Sequence, residues 1–131
     1  MKILNPPTVW TVPEQFRTIY TRALEAPAGR TLFVSGQFGV TPGGEMHSDF
    51  PEQLGQAMDN VEALLFASGM TLKDMAKTTF LLTRATDLPA LGEARRARWA
   101  SDMPAAVTVM VVAALARPDA LIEVEVTAVR P

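Results

Sequence analysis

Residues 31–40, TLFVSGQFGV, are the stretch around which the rest of the chain is arranged. Its opening run LFV combines apolar and β-branched side chains, which is typical of a buried strand. Ser35, Gly36 and Gln37 then place a hydroxyl, a residue without a side chain and an amide where the pattern predicts further core. An unpaired polar group in a protein interior costs roughly 1–3 kcal/mol, so these groups need partners, either from the protein or from a ligand.

The length of the chain predicts a single domain over residues 1–131, because a chain of this size supports one hydrophobic core. Hydrophobic residues make up 48% of the sequence and charged residues 20%, and the mean hydropathy is +0.13. This composition is slightly more apolar than that of an average soluble protein. The surplus indicates a face that is buried against another subunit.

The charge of the chain disfavours nucleic-acid binding. The formal net charge is −2 and the sequence pI is about 5.3, whereas nucleic-acid binding draws its affinity from clustered Lys and Arg. The one basic cluster, Arg95, Arg96 and Arg98, is predicted to form a solvated helix face.

The absence of cysteine excludes disulfides, thiolate nucleophiles and thiolate metal sites. No apolar run approaches the ~18 residues of a membrane helix. Asn5, Pro6 and Pro7 interrupt the N-terminal stretch, so no signal peptide is expected. We therefore expect a cytoplasmic protein without membrane contact.

The first part of the chain is expected to have little regular structure. Residues 1–18 contain three prolines and are predicted to form an irregular N-terminal arm, because proline lacks an amide donor and fixes the backbone. Residues 19–26 are predicted as an edge strand that forms a hairpin with residues 31–34.

Two helices are predicted from their apolar spacing and end signals. The first begins at a cap at Ser48 or Asp49 and ends at Gly69, and its polar face is expected to lie in water. That face holds Glu52, Gln53, Gln56, Asp59, Asn60 and Glu62. The second is capped by Asp87 and ends at residue 99 or 100.

Three further strands are predicted at residues 77–83, 106–112 and 122–129. The middle one, AVTVMVV, is nearly all apolar and is expected to be buried on both faces. In the last strand, residues 122–129, apolar and polar side chains alternate strictly. The order of elements predicts an α+β fold in which a mixed sheet, with hairpins at both ends, carries both helices on one face. Its other face would be covered by a second subunit, in a dimer or a ring of three.

The common catalytic patterns are absent from the sequence. His47 is the only histidine, so no transition-metal site and no Ser-His-Asp triad is expected, and His47 is predicted to lie at the surface. The flanking residues of Ser35 do not form a nucleophile elbow, and the glycines do not have the spacing of a nucleotide-binding loop.

Two carboxylates on the last strand are candidates for proton-transfer chemistry. Glu123 and Glu125 share one face of that strand, and in a cleft one of them could hold or deprotonate a water. The alternative interpretation is that both face solvent on an edge strand. Tyr20, the only tyrosine, is by itself typical of a half-buried packing residue.

Several stretches together resemble the Rid family, the imine deaminases also called YjgF-like or endoribonuclease L-PSP-like proteins. They are Tyr20, VSGQFGV, DNVEALLFASGM, KTTFLLT, Met103-Pro104-Ala105 and IEVEVTAV. The resemblance implies a chorismate-mutase-like α+β fold. It also implies a homotrimer whose sheets meet in a central barrel, with three small-molecule clefts between subunits.

Active members of this family hydrolyse enamine and imine intermediates without a cofactor. The resemblance implies that Glu123 positions a catalytic water, that Ser35 is the cleft serine and that Tyr20 covers the ligand. Gly36, Ala106 and Thr108 complete the predicted substrate-binding set, with Gly36 allowing a ligand to approach the backbone. No metal and no cofactor is expected.

Residue 106 departs from the active members, which carry an arginine there as a clamp for the substrate carboxylate. Losing such a desolvated pair is worth roughly 2–5 kcal/mol. The first hypothesis is therefore a Rid-fold trimer whose substrate is not a typical 2-imino acid. The alternatives are a true deaminase that uses Arg22, Arg30 or Arg117 as its clamp, a non-catalytic binding protein, and a ribonuclease, which the acidic pI disfavours.

Overall fold

A computed structural model describes all of residues 1–131. The chain forms six strands and two α-helices, with 3₁₀ turns at Glu14–Phe16, Leu72–Asp74 and Ala85–Asp87. In order these elements are β1 (Lys2–Leu4), β2 (Ala23–Glu25), β3 (Arg30–Phe38), α1 (Phe50–Ala67), β4 (Met75–Leu82), α2 (Leu88–Arg98), β5 (Ala106–Val111) and β6 (Ile122–Arg130).

The main sheet has four strands in the order β3-β6-β4-β5. β4 and β5 are parallel, whereas β6 is antiparallel to both of its neighbours. The prediction of a mixed sheet with two helices on one face is confirmed. The predicted hairpins are wrong: β2 pairs with β1 and not with β3, and β6 lies between β3 and β4 instead of beside β5. β6 takes the central place because its apolar side, Ile122, Val124, Val126 and Ala128, is fully covered by the helices.

The N-terminal arm is more regular than its prolines predict. β1 pairs antiparallel with β2 in a separate two-stranded sheet. Asn5 fastens the arm further, because its Oδ1 accepts hydrogen bonds from Thr21 Oγ1 at 3.0 Å and from the backbone N–H of Arg22 at 2.9 Å. The expectation of an irregular arm over residues 1–18 is therefore wrong for Lys2–Leu4 and for the turn at Glu14–Phe16.

The ends of α1 follow the sequence signals. Asp49 is the N-cap and accepts a hydrogen bond from the Glu52 N–H at 2.9 Å, with Pro51 in the first turn. Gly69 has a φ of +68°, a backbone conformation that lets the chain turn away just after the helix.

Two amides on the supposedly solvated side of α1 are instead structural. Gln53 is completely buried. Its Nε2 donates to the carbonyls of His47 and Asp119 at 2.8 and 3.0 Å, and its Oε1 accepts from the Leu121 N–H at 2.8 Å. Asn60 Nδ2 donates to the carbonyls at the end of β3, at 3.2 and 2.9 Å. These amides supply hydrogen-bond partners to backbone groups of the segments between β3 and α1 and between β5 and β6, which periodicity cannot show.

Of the three arginines of α2, only Arg96 is exposed as predicted. Arg95 is buried, with its Nη2 donating to the Ile19 carbonyl at 2.7 Å, and burial lowers its pKa to about 10. Arg98 donates to Asp59 and Glu62 of α1 at 2.8 Å each. The cluster therefore ties α2 to the arm and to α1, because arginine can bury its aliphatic stem while its head finds acceptors.

β5 is an edge strand, so the prediction that it is buried on both faces is wrong for the single chain. Val109, Met110 and Val111 are 36%, 45% and 47% exposed. Beyond β5 the chain offers only an isolated bridge between Thr21 and Ala106. Neither α-helix combines the length and the apolarity needed to cross a membrane.

Candidate functional site

The face of the main sheet opposite the helices, here called the open face, carries a grid of side chains fixed by the strand register. Paired residues share a face and alternate residues along a strand return to it. From the register, the open face carries Phe33 and Ser35 of β3, Glu123, Glu125 and Thr127 of β6, Lys77, Thr79 and Leu81 of β4, and Ala106, Thr108 and Met110 of β5. The polar residues of this grid are the candidates for ligand contact.

The polar triplet of β3 forms a β-bulge. Val34 pairs with Val126 and Gln37 with Val124, so Ser35 and Gly36 together oppose the single residue Glu125. Gln37 stabilises the bulge, since its Nε2 donates to the Ser35 carbonyl at 2.9 Å. The Gln37 side-chain amide therefore finds its hydrogen-bond partner in the backbone of the same strand. The Ser35 side chain remains exposed on the open face.

Gly36 makes room for Glu123. A Cβ built at residue 36 would overlap the Glu123 carboxylate and lie 2.8 Å from its Cγ. The space that was expected to admit a ligand is therefore filled by Glu123. This packing places Glu123 against Gly36, the neighbour of Ser35 in the bulge.

Glu123 has a perturbed acidity. Burial raises the pKa of its carboxyl above the ordinary value, and the neighbouring Glu125 carboxylate raises it further. β6 is a central strand, so the interpretation of both carboxylates as edge-strand residues is wrong. A carboxyl with a raised pKa in a partly buried position is suited to proton transfer.

A cavity of about 250 Å³ opens on the same face. Its polar lining comes from Ser35, Lys77, Thr79, Glu125 and Thr127, with Phe33 at one side. This volume suits a ligand of a few heavy atoms.

Ala106 and Thr108 lie on β5, next to Lys77. Lys77 pairs with Ala106 across the parallel strands, and its Nζ donates to Thr108 Oγ1 at 2.6 Å. Lys77 was not among the predicted site residues. The alternation in KTTFLLT, which places Lys77 and Thr79 on one face, is the signal that could have identified it.

Tyr20 lies away from the other predicted residues. It precedes Thr21, which bridges to Ala106 at the β5 edge, whereas Ser35 is on β3 at the opposite edge. Three strand spacings of about 4.8 Å separate β3 from β5, and Thr21 lies one spacing beyond β5, so the Tyr20 segment is about 19 Å from β3. Within one chain the predicted site is therefore split into a group around Ser35 and Glu123 and a group around Ala106 and Tyr20.

The three arginines considered as replacement clamps differ in position. Arg30 Nη1 donates to the Ser68 carbonyl at 3.1 Å, and Arg117 pairs with Asp119 at 3.0 Å, both away from the open face. Arg22 Nε donates to the Trp10 carbonyl at 2.7 Å, and its guanidinium carbon is 5.6 Å from the centre of the Tyr20 ring. Only Arg22 is next to Ala106 in the fold.

No group of three or more His, Asp or Glu side chains is arranged to hold an ion. His47 lies at the surface as predicted, with its side chain 57% exposed and its Nε2 3.6 Å from Glu52.

Two helices on one face of a mixed sheet, with a polar cavity on the other, define an α+β protein of the YjgF type. Residues 14–130 match the family model described as Endoribonuclease L-PSP. The chain belongs to this family, also called the Rid family.

Known relatives support this assignment. A RutC family protein of Pyrococcus horikoshii is 32% identical over 111 residues, which cover 83% of this chain and 85% of the relative. The human 2-iminobutanoate/2-iminopropanoate deaminase is 32% identical over 103 residues, covering 77% and 74%.

Solved structures agree with the fold. The Rid-family protein YyfB of Yersinia pestis, described as of unknown function, has a TM-score of 0.86 at 30% identity and covers 98% of both chains. The YjgF gene product of Escherichia coli has a TM-score of 0.72 at 31% identity, covering 86% of this chain and 88% of its own.

Proposed function

We propose that this chain binds a small imine- or enamine-like metabolite in clefts between subunits, and that it hydrolyses the ligand or transfers a proton on it without a cofactor. The position of Glu123 carries the proposal. Its carboxyl, with a raised pKa, packs against Gly36, the neighbour of the exposed Ser35, on a face that also holds a cavity. These are the parts that cofactor-free proton transfer needs.

In the proposed reaction Glu123 acts first as a base and then as an acid. It removes a proton from water as the water oxygen bonds to the imine carbon. It returns this proton to the imine nitrogen, which gives a carbinolamine. Glu123 then moves the hydroxyl proton of the carbinolamine to nitrogen as the carbon–oxygen double bond forms and the carbon–nitrogen bond breaks, which yields a carbonyl compound and ammonia. Ser35 donates a hydrogen bond to the ligand from the neighbouring bulge.

The clefts are proposed to form in a homotrimer. The split of the predicted residues across about 19 Å of sheet supports this arrangement, because the Tyr20 edge of one subunit can meet the Ser35 edge of another only in an assembly. Exposed apolar side chains on the same sheet, such as Phe33 at 78% and Met110 at 45%, also require a cover.

A paired hydrolysis assay tests the function. An amine oxidase releases imines without an adjacent carboxylate, and an amino-acid oxidase releases 2-imino acids; the loss of each imine is followed by trapping. We expect the protein to accelerate the loss of the imine that the amine oxidase releases. In Glu123→Gln this acceleration should fall by about a hundredfold or more. Glu93→Gln, at an exposed position of α2, is the matched control and should keep most of the activity. If neither imine disappears faster than in buffer, the chain is a binding protein and the proposed reaction is wrong.

The same assay tests the second candidate function, a 2-imino acid deaminase. The place of Arg22 beside Tyr20 and Ala106 favours it. Acceleration with the amino-acid oxidase that is lost in Arg22→Gln, but not in Arg30→Gln, would establish this alternative.

Ribonuclease activity has less support. The open face carries Glu123 and Glu125, and the arginines of α2 are used within the fold. A phosphate backbone would be repelled by the two carboxylates and would find no free basic stripe.

A further inference from the structure

We propose that a pocket between α2, β5 and the segment at residues 16–19, here called the α2 pocket, binds a small carboxylate with an apolar body. Arg95 and Arg96 are the groups that bind the carboxylate. The pocket lies on the helix side of the main sheet, because Val109 of its lining alternates with Thr108 and Met110 of the open face. The proposal therefore goes beyond the function proposed above and does not depend on it.

The α2 pocket has the size and the apolar walls of a site for a small organic ligand. Its volume is about 510 Å³. Leu88 and Val109 in its lining are 39% and 36% exposed, so apolar surface is left uncovered there. The apolar walls are formed by Phe16, Ile19, Leu88, Pro89, Leu91 and Val109.

Arg95 is a buried cation without an anionic partner. It takes part in none of the salt bridges of the chain, whereas three other arginines each pair with a carboxylate. Its one side-chain hydrogen bond runs from Nη2 to the Ile19 carbonyl at 2.7 Å. Burial and then the neighbouring Arg96 lower its pKa to about 10. Because buried charges in proteins are normally paired, the missing partner points to an anionic ligand.

The remaining donors of Arg95 reach open space. A guanidinium has five N–H donors, and Nε and Nη1 of Arg95 have no acceptor in the chain. Thr78 Oγ1 is the only enclosed polar side-chain atom without a partner, so these two nitrogens touch accessible space. Besides the α2 pocket, Arg95 lines a cavity of about 20 Å³, which has room for about one water. The α2 pocket is the larger of the two and has room for an organic anion.

Arg96 adds a second guanidinium group to the same pocket. It is exposed, and its Nε donates to the Gln15 carbonyl at 3.3 Å, which leaves its two terminal nitrogens without an acceptor. Glu93, the one carboxylate of the lining, is exposed and pairs with neither arginine. Guanidinium groups bind a carboxylate through parallel N–H bonds, and the apolar walls select an anion that carries a hydrocarbon body.

Binding of isocaproate, a branched aliphatic carboxylate, tests the proposal by amide NMR titration of the folded protein. We expect saturable binding with a Kd of about 1 mM or tighter. The shifted signals should come from α2, β5 and residues 14–19. Isocaproamide has the same body without the charge, and acetate has the charge without the body. Each should bind about tenfold more weakly or worse.

Arginine variants identify the carboxylate-binding groups. Arg95→Gln and Arg96→Gln should each weaken isocaproate binding by about tenfold or more. Arg17→Gln is the matched control, because Arg17 is exposed in the same part of the chain and does not line the pocket. Leu88→Asp should also weaken binding, since it removes apolar wall and adds a repelling charge. An acidic residue at this first position of α2 suits the helix, so this variant should fold.

Four results would overturn the proposal. The first is the absence of saturable isocaproate binding, and the second is a set of shifts on β3 and β6, which would place the ligand on the open face. The third is an amide that binds as tightly as the carboxylate. The fourth is unchanged affinity in Arg95→Gln, or in Arg96→Gln should Arg95→Gln fail to fold. These readouts measure binding on the helix side, so a failure of imine hydrolysis in the assay above would leave them intact.

Discussion

The carboxylate of Glu123 fills the space in which a side chain at residue 36 would stand. The bulge at Ser35 and Gly36 brings β3 close enough for this contact, and glycine alone permits it. The backbone of Gly36 is not in the left-handed region, so the requirement for glycine is one of space. The glycine of SGQ on β3 and the first glutamate of EVE on β6 are thus in direct packing contact.

Gly36→Ala should displace Glu123 while leaving the fold intact. The clash is with a side chain that can rotate away, so we expect a loss of stability below about 1 kcal/mol. Imine hydrolysis should fall nearly as far as in Glu123→Gln. Urea unfolding and the hydrolysis assay give the two values, with Gly55→Ala as the control because a Cβ there meets no atom within 4 Å. Unchanged activity in Gly36→Ala would disprove the positioning role.

The raised pKa of Glu123 predicts that replacing this residue stabilises the folded protein, and that the size of the effect depends on pH. The folded state holds this proton more tightly than the unfolded state, so the group favours folding at low pH and opposes it once ionised. The loss of stability caused by ionising Glu123 develops as the pH rises from the ordinary carboxyl pKa through the raised pKa of the folded state. Glu123→Gln should therefore raise the melting temperature near pH ~7 and have little effect below pH ~4.

Glu125 provides the control for that experiment. Glu125→Gln removes the neighbouring charge and should lower the pKa of Glu123 toward its ordinary value, which NMR titration of the carboxyl would follow. Burial, which is the larger cause of the raised pKa of Glu123, is unchanged in this variant. A Glu123 pKa that does not move would show that the two carboxylates are not coupled.

Gln53→Met should be among the most destabilising single changes in α1. Methionine matches the shape of glutamine but leaves the carbonyls of His47 and Asp119 and the N–H of Leu121 without partners. We expect a loss of about 2–4 kcal/mol in the free energy of unfolding, measured with urea. Gln56→Met, which removes one hydrogen bond to Asn60 on the same helix, should cost much less.

Thr78→Val should stabilise the protein. Thr78 is buried and its Oγ1 has no hydrogen-bond partner, so its hydroxyl is desolvated without compensation. Valine has nearly the same shape, and we expect a gain of about 1 kcal/mol in the free energy of unfolding. Thr79→Val, on the open face, should give no comparable gain. A loss of stability in Thr78→Val would mean that the hydroxyl is satisfied, for example by a bound water.

Met110→Glu should disrupt the proposed homotrimer. Met110 is exposed on the open face of the edge strand, and a carboxylate there would have to be desolvated in an interface. Light scattering should show a trimer for the unmodified protein and smaller species for this variant. Phe66→Glu, on the outside of α1, changes an even more exposed residue and should remain trimeric. A monomeric unmodified protein would contradict the trimer directly.

The sequence by itself determined the elements and their faces. Helical spacing, the Asp49 cap and Gly69 defined α1, and the strict alternation in IEVEVTAV placed Glu123 and Glu125 on one side of β6. These are local properties, set by the steric preferences of a few neighbouring residues. The resemblance to the Rid family was confirmed by a family model that matches residues 14–130, a range that includes SGQ and IEVEVTAV.

Only the tertiary structure decided which elements meet. The insertion of β6 between β3 and β4, the burial of Gln53 and the contact between Gly36 and Glu123 all depend on packing between residues distant in sequence. The diagonal reach of Lys77 over Ala106 to Thr108 depends on the parallel register of β4 and β5. No local pattern encodes such a register, because it is set by how the whole sheet buries its apolar face against the helices.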